Sequence, residues 1–188
     1  MSQKFPKQYI DIGTATTTAG FTMSSDVLTC SLLRTLAATK PAGKFLELGT
    51  GTGLATSWIL DGMDNEATLT SIDNDSIFLA IAEQFLGGDE RLTLVEVDGE
   101  KWITENKTQK YDYIFADTWH GKYLLLDDAL GMLNKGGLYI VDDMLPQDNW
   151  PDGHQEKANH LVQTLSQRED LILTEQDWAT GIIIATKR

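Results

Sequence analysis

Residues 45–53 read FLELGTGTG, and the reading of the whole chain turns on them. Lys44–Leu48 is a short, mostly apolar run of strand length. It leads directly into the glycine turn Gly49-Thr50-Gly51-Thr52-Gly53, and the helix-like segment LATSWIL follows. Glycines allow backbone N–H groups to approach a ligand closely, and a helix N-terminus favours anionic or polar groups. A strand, a glycine turn and a helix in that order mark a nucleotide-type cofactor site at the carboxyl edge of an α/β sheet. The dinucleotide fingerprint G-x-G-x-x-G fails in both frames. Counted from Gly49 its last position is Leu54, and counted from Gly51 it is Thr56.

Outward from this stretch, strand-like and helix-like segments alternate. ATLTSID (67–73), RLTLVEVD (91–98), YDYIFAD (111–117) and LYIVDD (138–143) read as strands. SIFLAIAEQFL (76–86), a short segment around EKWITEN, KYLLLDDALGMLN (122–134) and HQEKANHLVQTLSQR (154–168) read as helices. LILTEQ and GIIIATK close the chain as strands. Gly87-Gly88 and Gly136-Gly137 are read as helix stops. This alternation predicts an α/β fold with a doubly wound, mostly parallel sheet and helices on both faces. Upstream, residues 1–20 read as irregular, and Ser24 or Ser25 is expected to cap a helix running to about Ala38. The expected organisation is one domain over 1–188, with 1–43 a helical cap region and 44–188 the cofactor-binding core.

Composition narrows the classes. The formal net charge is −13, with no Lys/Arg run to offset it, which argues against nucleic acid or an acidic membrane surface as partner. One cysteine, Cys30, excludes an internal disulfide framework and fits a reducing compartment. No apolar stretch approaches the ~18 residues of a bilayer span, and a cytoplasmic location is expected. Ser-His-Asp order, C-x-x-C and H-E-x-x-H are absent, so nucleophilic hydrolysis and structural zinc have no support.

The pattern E-x-G-x-G-x-G, with Glu47 two residues before Gly49, resembles motif I of class I S-adenosylmethionine-dependent methyltransferases. That resemblance implies a Rossmann-like, seven-stranded sheet whose last strand is antiparallel. It implies S-adenosylmethionine as cofactor, with Gly49, Thr50, Gly51 and Gly53 passing under its methionine part and Glu47 near its amino group. Asp73, beside Asn74, ends the second strand and is placed to accept ribose hydroxyls. Asp98-Gly99 follows the third strand, where the family sets an acid against the adenine; capping the next helix is its other reading. Met23, ahead of the first long helix, is a candidate contact to the methyl end and equally a packing residue at a helix start.

FADTWHGKY (115–123) and LNKGGLYIVDD (133–143) resemble the small metal-dependent O-methyltransferases of the catechol and caffeoyl-CoA type. By that resemblance Asp117, Asp142 and Asp143 would hold Mg²⁺ or another divalent cation, with Asp117 also beside the cofactor and Trp119 packing on the adenine. Hard oxygen ligands suit such an ion. The pattern departs from the family in two places. Asp143 stands where Asn is usual, and His120 stands where the catechol enzymes carry a catalytic lysine. His120 or Lys122 is therefore the candidate base, His120 having an exposed helical position as its other reading. The implied activity is O-methylation of a small catechol-like or phenolic acceptor. Two alternatives stay open, an NAD-type oxidoreductase and a non-catalytic cofactor-binding protein of the same fold. The family is often dimeric, though no interface is legible in the chain. Trp150 is a candidate wall of an aromatic pocket in the loop 145–154, and His154 is read as a helix cap.

Overall fold

The computed structural model describes residues 4–147 and 150–188. Seven strands form one sheet: β1 (Lys44–Leu48), β2 (Thr68–Asp73), β3 (Leu92–Glu96), β4 (Tyr111–Ala116), β5 (Leu133–Val141), β6 (Leu171–Gln176) and β7 (Ile182–Lys187). Their order is β3-β2-β1-β4-β5-β7-β6. The first five strands pair in parallel, and β7 lies antiparallel between β5 and β6. The strand order reverses beside β1, where β2 leads one way and β4 the other. In an open sheet of this kind a ligand crevice opens at that reversal, beyond the carboxyl ends of the strands.

Helices cover both faces: α1 (Tyr9–Ala19), α2 (Val27–Ala37), α3 (Leu54–Gly62), α4 (Ser76–Leu86), α5 (Gly99–Asn106), α6 (Leu126–Gly131) and α7 (His154–Ser166). Two apolar clusters result. One joins α1, α2 and α3 to the sheet through Ile12, Leu33, Trp58, Phe45, Tyr113 and Ile140. The other lies on the opposite face, where Ile103, Leu130, Leu161 and Leu165 meet Leu46, Ile114 and Tyr139. Strands covered on both faces read as continuous apolar runs, and β4 from Tyr113 to Ala116 and β5 from Leu138 to Val141 do so.

The structure corrects several boundaries. Residues 9–19 are helix α1, not irregular chain. Its Thr side chains do not compete with the helix, because Thr14, Thr16, Thr17 and Thr18 return their hydroxyls to carbonyls four residues back. The cap of α2 is Asp26, whose side chain accepts from the Leu28 N–H at 2.7 Å, rather than Ser24 or Ser25. The expected helix over 122–134 shrinks to α6, because β5 starts at Leu133. Gly136-Gly137 interrupts that strand instead of stopping a helix. The register with β4 jumps from Tyr111↔Leu133 to Tyr113↔Leu138, which absorbs the glycine pair as a bulge. No described helix is long and apolar enough to cross a membrane.

Candidate functional site

The turn after β1 is pinned from three sides. The Gly49 and Thr50 N–H groups both donate to the Ile72 carbonyl at 3.0 Å, and Gly51 N–H donates to Asp73 Oδ2 at 2.7 Å. Asp73 Oδ1 accepts from Asp75 N–H at 2.9 Å, so this carboxylate holds the glycine turn and the start of α4 together. Each glycine has its own steric reason. A Cβ on Gly49 (φ +105°) would stand 2.9 Å from the Asp117 carbonyl oxygen. On Gly51 (φ +52°) it would meet the Phe21 ring at 2.8 Å, and on Gly53 (φ +88°) it would press on Ala82 and Leu86 of α4. Phe21 is held over the turn by Phe78, with ring centroids 4.6 Å apart. Thr16 of α1 meets Thr52 hydroxyl to hydroxyl at 2.7 Å, tying the first helix to the same turn.

Glu47 lies beneath the turn, fully buried. Its Oε2 accepts from Thr56 Oγ1 at 2.6 Å and from Ser71 Oγ at 2.5 Å, while Oε1 has no partner among the described residues. Burial outweighs these two hydrogen bonds, and the nearby Asp73 charge adds to it, so the carboxyl is pushed up to about 7. Glu47 does not line the cleft described next.

A cavity of about 510 Å³ opens above the turn, a size that suits a small-molecule ligand. It is lined by Met23, Gly49, Thr50, Gly51, Asp73 and Asn74 on one side. On the other side stand Asp117, Trp119, Lys122, Tyr123, Asp143, Trp150 and His154. An adjoining hollow of about 230 Å³ shares Gly49, Asp73, Asn74, Thr118 and Trp119, and adds Gly99 and His120.

The loop 117–124 is set from below. Asp117 N–H donates to the Leu48 carbonyl at 2.9 Å, which extends the β1–β4 pairing into the site. Gly121 (φ +87°) sits where a Cβ would lie 2.6 Å from Leu48 and 3.0 Å from the Tyr139 hydroxyl. Tyr139 donates that hydroxyl to the Gly121 carbonyl at 2.5 Å. Lys122 is thereby turned inward and buried, its ammonium donating to the Asp142 carbonyl at 2.7 Å.

Three aspartates lie near enough to Lys122 to feel its charge. Ser25 donates to Asp117 Oδ2 at 3.0 Å. Asp142 Oδ1 accepts from Thr180 and from the Asp143 N–H, and its Oδ2 is buried without a partner among the described residues. Asp143 holds a left-handed backbone (φ +56°), which turns it towards the cavity while Asp142 stays beneath. Burial raises all three carboxyls. The charge of Asp142 raises Asp117, that of Asp143 raises Asp142, and Lys122 pulls each of them down. Asp117, Asp142 and Asp143 do not bring three ligand atoms within 4.8 Å of one another. Among the described residues, the one set of three acid or imidazole ligand atoms within 4.8 Å of one another is Asp98, Glu100 and His120, in part exposed. Lys122 pulls on all three carboxyls without forming an ion pair with any of them, and the unpartnered Asp142 Oδ2 beside Asp117 and Asp143 leaves hard oxygen donors of the kind a divalent cation takes.

The outer wall is aromatic. Trp150 meets the His154 ring at a tilt, 4.3 Å between centroids, and Tyr123 and Trp119 meet that ring edge-on at 5.3 and 5.8 Å. Tyr123 Oη and His154 Nε2 are 3.1 Å apart. Asn149, part of the predicted specificity loop, lies outside the described residues.

Of the residues expected from sequence, Met23, Gly49, Thr50, Gly51, Asp73, Asn74, Asp117, Trp119, Lys122 and Asp143 come together around the main cavity. Gly99 and His120 line the smaller hollow, His120 resting on Gly99, so the expected base His120 lines that hollow rather than the main cavity. Glu47, Gly53 and Asp142 lie behind the lining, and Asp98 is exposed outside both hollows. Asp98 caps α5, accepting from Glu100 N–H at 2.9 Å and Lys101 N–H at 3.3 Å. His154 is not its helix's cap, which is Gly153; it faces the cavity. The available signal was its position just after the Trp150-Pro151-Asp152-Gly153 turn, at the binding edge of the sheet. Phe21 falls in the segment 21–24 that, by resemblance, closes over the cofactor, whereas Ser25 reads only as a helix cap.

A seven-stranded sheet of this order, with a glycine-turn cleft at its reversal point, defines the class I methyltransferase architecture. Residues 46–144 match the family model described as a methyltransferase domain, and the chain belongs to that family. It is 28% identical over 118 residues to a Mycobacterium ulcerans (strain Agy99) protein named "Putative O-methyltransferase", covering 59% of this chain and 52% of that one. The chain spans about half the length of the curated relatives it matches. Its fold is shared with the O-methyltransferase of Bacillus cereus in complex with SAH, at TM-score 0.85 and 14% identity, covering 100% of this chain and 93% of that one. It is shared too with the O-methyltransferase TomG of Streptomyces achromogenes in complex with SAM, at TM-score 0.84 and 18% identity over 98% and 91% of the two chains.

Proposed function

We propose that this protein is an S-adenosylmethionine-dependent O-methyltransferase acting on a small, planar, hydroxylated acceptor of phenol or catechol type. One observation carries the reading: the glycine turn with Asp73 and an aromatic wall with buried acids face each other across one cavity of about 510 Å³. The turn, Asp73 and Asn74 form the cofactor half. Tyr123, Trp150 and His154 form an acceptor half suited to a flat ring. When bound, S-adenosylmethionine supplies an electrophilic methyl carbon. The chain's own contribution is to orient an acceptor oxygen towards that carbon, exclude water and take up a proton.

Electrostatics narrows the acceptor. Asp117 and Asp143 line the cavity, Lys122 is the one lysine or arginine among the described residues lining it, and the chain carries −13 overall. Acceptors bearing several phosphates are disfavoured there, which points to a neutral or cationic phenol. Calorimetry with S-adenosylhomocysteine and NAD⁺ tests the cofactor, and a panel of phenols and catechols tests the transfer. Binding of NAD⁺ alone would replace this reading with an oxidoreductase. Binding of S-adenosylhomocysteine with no acceptor methylated would leave a non-catalytic binder.

A further inference from the structure

We propose that Tyr123 and His154 form the proton-accepting pair for the acceptor hydroxyl, Tyr123 as the contact and His154 as the terminal base. The inference rests on the O-methyl-transfer reading above and assigns its deprotonation step. Three observations carry it. Both side chains line the main cavity, and Tyr123 Oη lies 3.1 Å from His154 Nε2. His154 Nδ1 is buried with no hydrogen-bond partner among the described residues, so proton traffic at this ring passes through Nε2 and hence through Tyr123. The residues expected to serve as base are otherwise placed. His120 lines the smaller hollow, and Lys122 donates to the Asp142 carbonyl among three acids.

The chemistry of the pair fits. A phenol O–H is the better donor and an imidazole nitrogen the better acceptor, so Tyr123 donates to Nε2 and its oxygen stays free to accept from a substrate hydroxyl. Tyr123 keeps its proton, because burial and the Asp143 charge push it up to about 12. The groups facing His154 are Lys122 from the β4–α6 loop, Lys157 from its own helix and Asp143 from the loop after β5. Burial and the two lysines hold the ring neutral, and Asp143 opposes them. A neutral imidazole is the form that can accept.

In the step, the acceptor O–H proton moves to Tyr123 Oη as the Tyr123 proton moves to His154 Nε2. The acceptor oxygen's electron pair forms the new O–C bond while the C–S bond breaks, and its electrons stay on sulfur. The imidazolium then returns its proton to solvent through the same path once product leaves.

The test combines kinetics and NMR on the full chain, using the best acceptor from the phenol and catechol panel. His154→Gln is expected to lower kcat at pH 7 by about 100-fold or more, the usual scale of general-base loss. S-adenosylhomocysteine binding should stay within about threefold, since no cofactor-side residue changes. The wild-type rise of kcat with pH should vanish in this variant, leaving a rate that climbs steadily with hydroxide. Tyr123→Phe should show the same loss, and imidazole should restore His154→Ala. Histidine ¹⁵N shifts should show the Nδ1–H tautomer of His154 at neutral pH, a readout that needs no turnover. An Nε2–H tautomer, a His154→Gln rate within about threefold of wild type, or an unchanged pH limb would each overturn the pair. Those results with intact cofactor binding and methylation would leave the methyltransferase reading standing. Failure of the wild type to bind S-adenosylhomocysteine or methylate any acceptor would remove both.

Discussion

Glu47→Gln tests whether the acid of the glycine motif touches the cofactor or works beneath it. Wild-type Glu47 is fully buried and titrates at about 7, against an ordinary carboxyl value of 4.5. Between those values the folded state holds a proton that the unfolded state has released. The sign follows: this group's stabilising contribution is present below 4.5 and is lost as pH rises to about 7. At 1.36 kcal/mol per pH unit the full interval corresponds to about 3 kcal/mol, with about 2.5 kcal/mol of it falling between pH 5 and 8. Glutamine does not titrate. The difference in unfolding free energy, variant minus wild type, should therefore move in the variant's favour by about 2.5 kcal/mol over that range. For a chain of this size that equals roughly 5–10 °C in Tm. The absolute offset is a separate matter, since the amide nitrogen would replace the unpartnered Oε1 and cost something at every pH. Urea titrations of both proteins at pH 5 and 8 measure the difference, and calorimetry with S-adenosylhomocysteine measures the site. A difference that stays flat with pH would refute the buried, protonated Glu47. A tenfold or greater loss of affinity would place its carboxylate against the cofactor after all.

Three further outcomes are expected. Gly51→Ala puts a Cβ 2.8 Å from the Phe21 ring at a positive φ; it should cost about 1–3 kcal/mol of stability in urea and weaken cofactor binding, and an unchanged protein would mean that Phe21 does not cover the turn. Trp119 lines both hollows and Trp150 only the larger, so Trp119→Ala should weaken S-adenosylhomocysteine binding and acceptor KM together, while Trp150→Ala should raise acceptor KM alone. Chelation with EDTA followed by added Mg²⁺ tests whether Asp117, Asp142 and Asp143 hold a cation: loss and restoration of methyl transfer would support it, and unchanged activity after chelation would remove it.

The sequence exposed most of the sheet because parallel strands covered on both faces must be continuously apolar, as FLEL and YDYIFA nearly are. It exposed the cleft because the glycine spacing and the acids at strand ends are local features. It misled where local preference and packing disagree. The threonine run of α1 reads as non-helical, yet its hydroxyls close on the helix's own carbonyls and Ile12 and Thr16 bury against the core. Gly136-Gly137 reads as a stop, yet a register shift with β4 carries the strand past it. In the site, the family resemblance pointed to Asp117, Lys122 and Asp143 but not to their relation. Whether three carboxylates converge depends on the left-handed turn at Asp143 and on Lys122 folding inward, and both are set by strands distant in sequence. His154 faces the cavity because the chain returns across the sheet edge after β5, which a one-dimensional pattern does not record.

The anchoring of Gly121 has a consequence for how such a site changes. Leu48 and Tyr139 hold the backbone of the 117–124 loop from within the sheet, and neither touches the outward side chains at Trp119 or Tyr123 through that contact. The foundation and the fittings are thus separate. Substitutions of the exposed Trp119 should alter which acceptor is held while leaving Tm almost unmoved, whereas Gly121→Ala should collapse the loop whatever its neighbours. A chassis of that kind lets acceptor preference diverge between relatives at little cost to folding.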